Sequence, residues 1–254
     1  MALTVNTNIG ALNAAAAAAK TNREIEISMT RLSTGKRINS GSDDAAGVAI
    51  ATRMTGILKS TQQAMRNVAD GISYADTAEG TLDEMANMVT RIRELYIQSD
   101  VGTLSSDDAG NISIEIAALK TALTTIVTAT TWAGTAITDI SIKSDAAGTG
   151  FTVSGSLLAA PAAFASAASA DVALATIATA RATLGSQINV MNNLLNNLTN
   201  YAANLGSSIG TIEDADFAAE TTNMVKMQVL QQAATAMLAQ ANQSKQNILQ
   251  LIQG

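Results

Sequence analysis

Both ends of this chain read as long, proline-free helices with apolar residues along one side, and such ends must bury those sides against each other or against another molecule. Toward the C-terminus, Met227, Leu230, Ala234, Met237, Ala241, Ser244, Ile248 and Leu251 recur at alternating steps of three and four, the spacing of a heptad seam. From residue 4 to 33, Ala11, Ala15, Ala18, Asn22, Ile25, Met29 and Leu32 follow the same alternation. The alanines Ala14 to Ala19 either allow close backbone approach or simply favour helix. No later segment is expected to cover the C-terminal stripe, so its partner is the other terminus or a second copy. Chains whose apolar faces lie at their termini are built to assemble.

Between the ends, a stripe from Ile50 through Ile57, Ala64, Val68, Leu82, Met85, Val89 and Ile92 to Tyr96 predicts one long helix over about 43–99. Ser42, Asp43 and Asp44 precede it as capping residues. After the polar break SDVGTLSSDDAG, Ile112, Ile116, Leu119, Leu123 and Ile126 predict a shorter helix over 105–128. A third long helix is expected over 172–212, weakened near its end by Gly206 and Gly210. Residues 131–160 differ in character. There Ile140 and Ile142, then Phe151 and Val153, alternate around a glycine-rich turn and predict a small central β-hairpin. The Ala/Ser-rich stretch to residue 171, with the only proline, Pro161, reads as a connection back to the helices. The expected fold is mostly α, an elongated helical bundle or coiled coil with its terminal helices paired.

Composition agrees and excludes several functions. Apolar residues make up 47% of the 254 residues but aromatics only 3%, which suits slender, closely packed helices. With 15 basic against 21 acidic residues the formal charge is −6, and no basic stripe is present, so nucleic-acid binding is excluded. Without cysteine or histidine there is no disulfide, thiolate or imidazole chemistry. The acidic pairs Asp43/Asp44, Asp107/Asp108 and Glu213/Asp214 fall at expected helix starts, where capping accounts for them. No catalytic residue, metal site or cofactor is expected, and the chain is read as not an enzyme. No cleavable leader and no stretch apolar enough to span a bilayer is expected either, so membrane insertion is excluded.

The motifs RLSTGKRINSGSDDAAGVAIATRM, RNVADGISYADTAEGTLDEM and RIRELYIQS, with the C-terminal NMVKMQVLQQAATAMLAQANQSKQNILQLI, closely resemble bacterial flagellin in a short form that lacks the variable outer domains. The resemblance covers about residues 1–130 and 172–254, in the family's order, whereas 131–171 match weakly. It implies a subunit that polymerises into the flagellar filament for swimming, outside the cell, exported by the flagellar type III apparatus without a cleaved signal peptide. Residues 1–42 and 217–254 would form an inner core domain and 43–216 an outer rod. Filament-core packing would fall to Ile25, Met29, Leu32, Met227, Leu230, Ala234, Met237, Ala241, Ile248 and Leu251. Partners implied are further copies of the chain, an export chaperone on the C-terminal segment, and the filament-cap and hook-junction proteins. The toll-like flagellin receptor is implied at Arg91, Leu95 and Glu115, residues that read equally as ordinary surface and subunit-packing positions.

Ordering a residue costs roughly 1–2 kcal/mol, more than a lone terminal helix recovers by burial, so the termini are expected to be disordered in a free subunit and to fold on docking. Two other readings remain. A hook-filament junction protein shares such terminal helices but matches RINSGSDDAAG and LAQANQ only loosely. An amphipathic membrane-surface protein would carry Lys and Arg on its polar faces, where this chain has Gln, Asn, Ser and Thr.

Overall fold

The computed structural model describes residues 7–145, 147–155, 159 and 164–253, with the side chains of 248–253 outside that description. Five helices carry the fold: α1 (Ile9–Thr34), α2 (Ala45–Ser99), α3 (Ser106–Ala129), α4 (Ala167–Glu213) and α5 (Phe217–Gln253). Two short antiparallel pairs lie between α3 and α4, β1 (Thr131–Trp132) with β2 (Thr135–Ala136) and β3 (Ile140–Lys143) with β4 (Gly150–Val153). The mostly α architecture with a small hairpin region follows the expectation.

Local chemistry sets the helix ends. Asn8 accepts from the Ala11 amide at the start of α1, and Gly35, at φ 70°, closes it by donating to the Arg31 carbonyl. Asp44 accepts from the Gly47 amide to begin α2, while Asp43 accepts from the amides of Asn39 and Ser40 and ties the preceding turn. Those two bonds hold the Asp43 carboxyl below its ordinary range. Ser105 and Asp108 cap α3 reciprocally, and Asp216 accepts from the Ala218 and Ala219 amides to begin α5. Glu213 and Asp214 stand elsewhere than expected: Glu213 is the last residue of α4 rather than the start of a helix. Gly206 and Gly210 do not interrupt α4, which runs through both.

The chain divides into two compact units, residues 1–55 with 206–254 and residues 56–205, and the division falls within α2 and α4 rather than at loops. In the second unit the expected stripe is the core. Ala64, Val68, Ala75, Ala78, Leu82, Met85, Val89 and Ile92 of α2 are buried with Ile112, Ile116 and Leu123 of α3 and Ile177, Leu184, Met191 and Leu198 of α4. The hairpin closes one flank, its register pairing Ile140 with Val153 and Ile142 with Phe151. Ile142 and Val153 point inward and Tyr74 takes part on both sides, stacking edge-on against Trp132 and exchanging hydrogen bonds with the backbone of Thr138. The β1–β2 turn uses Ala133 and Gly134 at φ 50° and 80°, the left-handed pair that a two-residue hairpin turn demands.

One expectation about apolar stretches needs correcting. α3, with 24 residues and an 18-residue window of mean hydropathy 1.4, is long and apolar enough by length and composition to cross a membrane. Ala, Ile, Leu and Val raise its mean hydropathy together, although Thr, Asn and Lys interrupt the apolar residues.

Candidate assembly interface

In the first unit α1 and α5 run together, with Cα atoms within 8 Å of each other along much of their length. Small side chains permit this. Ala11, Ala14 and Ala18 of α1 turn toward Ala234 and Ala241 of α5, and a methyl placed on Gly10 would reach the Ala241 methyl at 3.6 Å. Each of the two helices covers part of the other.

The seam itself is polar in places where a core is usually apolar. Thr21 and Ser28 are the buried residues of α1, and Glu220 is buried on α5 with Arg31 at 3.7 Å. Asn8 donates to the Ala241 carbonyl at 3.1 Å, and Gln231 donates to the Asn22 side chain. At the other end of α1 a clasp fixes the register. The amide of Arg37 donates to the Glu213 carbonyl, that of Ala215 to the Gly35 carbonyl at 3.0 Å, and Lys36 Nζ meets Glu213 Oε2 at 2.6 Å. Arg37 Nη2 adds a bond to the Ile212 carbonyl at 2.7 Å.

Several large apolar side chains lie outside this seam. Ile9, Leu12, Ile27 and Met29 of α1 and Val225, Val229, Leu230 and Met237 of α5 are all exposed. Two shallow grooves of about 570 and 650 Å³ run along the pair, and Met237 lines both. Of the residues expected to pack in a filament core, Ile25, Leu32, Met227, Ala234 and Ala241 are half-buried within the pair, and Met29, Leu230 and Met237 face outward. Ile248 and Leu251 fall among the side chains left undescribed. The inward positions of α5 are Met227, Gln231, Ala234, Leu238 and Ala241, one residue on from the expected Leu230 and Met237.

The three residues expected at a receptor face separate. Arg91 is exposed and bonded to Glu115 at 2.9 Å and to Glu94 at 3.3 Å, so Arg91 and Glu115 form one surface ion-pair group bridging α2 and α3. Leu95 is corrected: at 1% exposure it belongs to the core, because its position in the α2 stripe faces α3 and α4. No cluster of three or more His, Cys, Asp or Glu side chains with metal-binding geometry occurs among the described residues.

The paired terminal helices leave Leu12, Met29, Val229, Leu230 and Met237 exposed, apolar surface of the kind that marks an interaction site. Residues 5–143 match the family model for the bacterial flagellin N-terminal helical region and residues 168–252 that for the C-terminal helical region, so the chain belongs to the bacterial flagellin family. It is 32% identical over 285 aligned residues to the flagellin of Listeria innocua serovar 6a, covering 98% of this chain and 99% of that protein. It is 43% identical over 139 residues to the B-type flagellin of Pseudomonas aeruginosa, covering 55% of this chain but only 28% of that longer protein. A Bacillus cereus flagellin crystal structure aligns at TM-score 0.42 and 28% identity, over 57% of this chain and 94% of that one.

Proposed function

We propose that the chain is a subunit of the bacterial flagellar filament and polymerises through the outer apolar face of the α1·α5 pair to support swimming. The observation that carries this is the placement of Leu12, Met29, Val229, Leu230 and Met237, large apolar side chains left exposed on two helices that already cover each other. Burial of such area contributes on the order of 25 cal/mol per Å². Repeating one heterologous contact yields an open helical polymer. On this reading residues 1–42 and 217–254 form the filament's inner layer and 43–216 the outer rod. The subunit leaves the cell through the flagellar type III apparatus, with an export chaperone on the C-terminal segment, and meets cap and junction proteins at the filament ends. Arg91 and Glu115 remain the surface positions for recognition by the toll-like receptor. α3 serves as a bundle helix through Ile112, Ile116 and Leu123 rather than as a membrane span.

The test is salt-induced polymerisation of the full chain beside a Leu230→Gln/Met237→Gln variant, followed by light scattering and negative-stain electron microscopy. Both positions are exposed, so the variant keeps the monomer fold. Long tubes from the parent and soluble protein from the variant are expected. Soluble parent protein, even with filament seeds present, would favour the junction reading, and tubes from both proteins would move the interface elsewhere.

A further inference from the structure

The described methionines range from buried through half-buried (Met54, Met65, Met88, Met224 and Met227) to exposed. Met85 and Met191, in the core of the second unit, are 0% and 1% exposed, whereas Met29 and Met237, on the paired terminal helices, are 58% and 64% exposed. The chain has no cysteine, so thioethers are its only sulfur. Met237 stands where the two α1·α5 grooves meet, one walled by Ala17, Leu230 and Ala234, the other by Asn13 and Ser244. The first groove also holds Lys20 and Thr21, whose hydroxyl donates to the Ala17 carbonyl.

We propose that Met237, with Met29 as a second position, is an oxidation site through which peroxide controls self-association. This rests on the filament reading of the α1·α5 face. The Met237 sulfur attacks one oxygen of hydrogen peroxide, the O–O bond breaks and an S=O bond forms. Sulfur loses two electrons, and the departing hydroxide takes up the remaining proton as water. The sulfoxide is polar, so packing it into an otherwise apolar contact leaves an oxygen unpaired, and the free subunit is oxidised into a form barred from the polymer. Reduction by the two methionine sulfoxide reductases, one for each epimer, restores it.

The experiment treats the full-length monomer with hydrogen peroxide, maps oxygen uptake by peptide mass spectrometry, and then measures the critical concentration for salt-induced polymerisation. Met237 and Met29 are expected to oxidise about tenfold faster than Met85 and Met191, because susceptibility follows exposure. The critical concentration should rise about tenfold, as one buried unpaired oxygen produces. In a Met29→Leu/Met237→Leu variant, whatever its untreated critical concentration, peroxide should leave that concentration unchanged, because the two oxidation positions are gone. Equal oxidation of all four methionines, or normal polymerisation of fully oxidised protein, overturns the proposal. Failure of the untreated chain to polymerise overturns the filament reading instead, and is told apart because the mass map is read on the monomer.

Discussion

Replacing Gly71 by alanine sets two opposed effects on one turn of α2. Alanine inside a helix is favoured over glycine by about 0.8–1.0 kcal/mol. A methyl on Gly71, however, would lie 2.0 Å from Ile142 Cδ1 and 3.3 Å from Met191 Sδ. Both neighbours are buried, Ile142 at 7% and Met191 at 1% exposure, so the Ile142 side-chain end must turn within the core to admit the methyl. An extra methyl forced into a filled core costs typically 1–3 kcal/mol, and so severe an overlap belongs in the upper part of that range. The net expectation is destabilisation by about 1–2 kcal/mol. Gly80 on the same helix meets nothing within 4 Å, so Gly80→Ala keeps only the propensity gain of up to about 1 kcal/mol. Thermal unfolding followed by far-UV circular dichroism should place the two variants on opposite sides of the parent, each by about 2–6 °C. If Gly71→Ala melts at or above Gly80→Ala, the hairpin does not rest on α2 at Ile142, and the packing described for the second unit is wrong.

Charge reversal tests the clasp. Lys36→Glu and Glu213→Lys should each lower the thermal midpoint of the first unit, and the double reversal should recover most of the loss, with a coupling of no more than about 1 kcal/mol because Lys36 is half exposed. A double variant no better than either single would remove the ion pair from the account. Asp43, whose carboxyl is lowered by the Asn39 and Ser40 amides, contributes stability that is full above its ordinary value of 3.8 and lost as pH falls through the lower folded value. Asp43→Asn should therefore flatten the acid limb of a stability-versus-pH curve below about 3.8 and leave neutral pH dependence unchanged. Leu95→Ala should cost about 2–5 kcal/mol as a core truncation. Arg91→Ala, at an exposed ion pair, should cost no more than about 1 kcal/mol. Denaturant melts showing equal losses would put Leu95 on the surface after all.

Legibility varied with the kind of helix. In α2 the expected stripe from Ala64 to Ile92 is buried at every step, because both other helices of the second unit pack against one face and large residues mark it. The hairpin was readable from Ile140, Ile142, Phe151 and Val153, since alternation in an antiparallel pair reports the inward side directly. The start of α4 at Ala167 was not, because Ala and Ser carry no stripe and the first turn is set instead by Ser166 and Ser169 bonding each other's backbone. The Lys36–Glu213 clasp gave no signal either. Its members lie 177 positions apart, and only the fold brings them together.

The terminal helices are legible in the sequence as helices, but what covers each side of their apolar stripes is not, and the reason bears on function. Apolar periodicity finds the side of a helix that wants burial, without saying against what. In α2 that side is the intramolecular core. In α5 the inward set is Met227, Gln231, Ala234, Leu238 and Ala241, while Leu230 and Met237 point away. In α1 the buried positions are Thr21 and Ser28, beside an exposed Met29. A chain selected only to pair its ends would bury its large apolar residues in the seam and leave polar residues outside. Here Ile25, Leu32, Met227 and Leu238 are half-buried in the seam beside Ala, Thr and Ser, but Met29, Val229, Leu230 and Met237 are left on a surface that the monomer does not bury. Those outward residues are what pairing alone does not explain and assembly does.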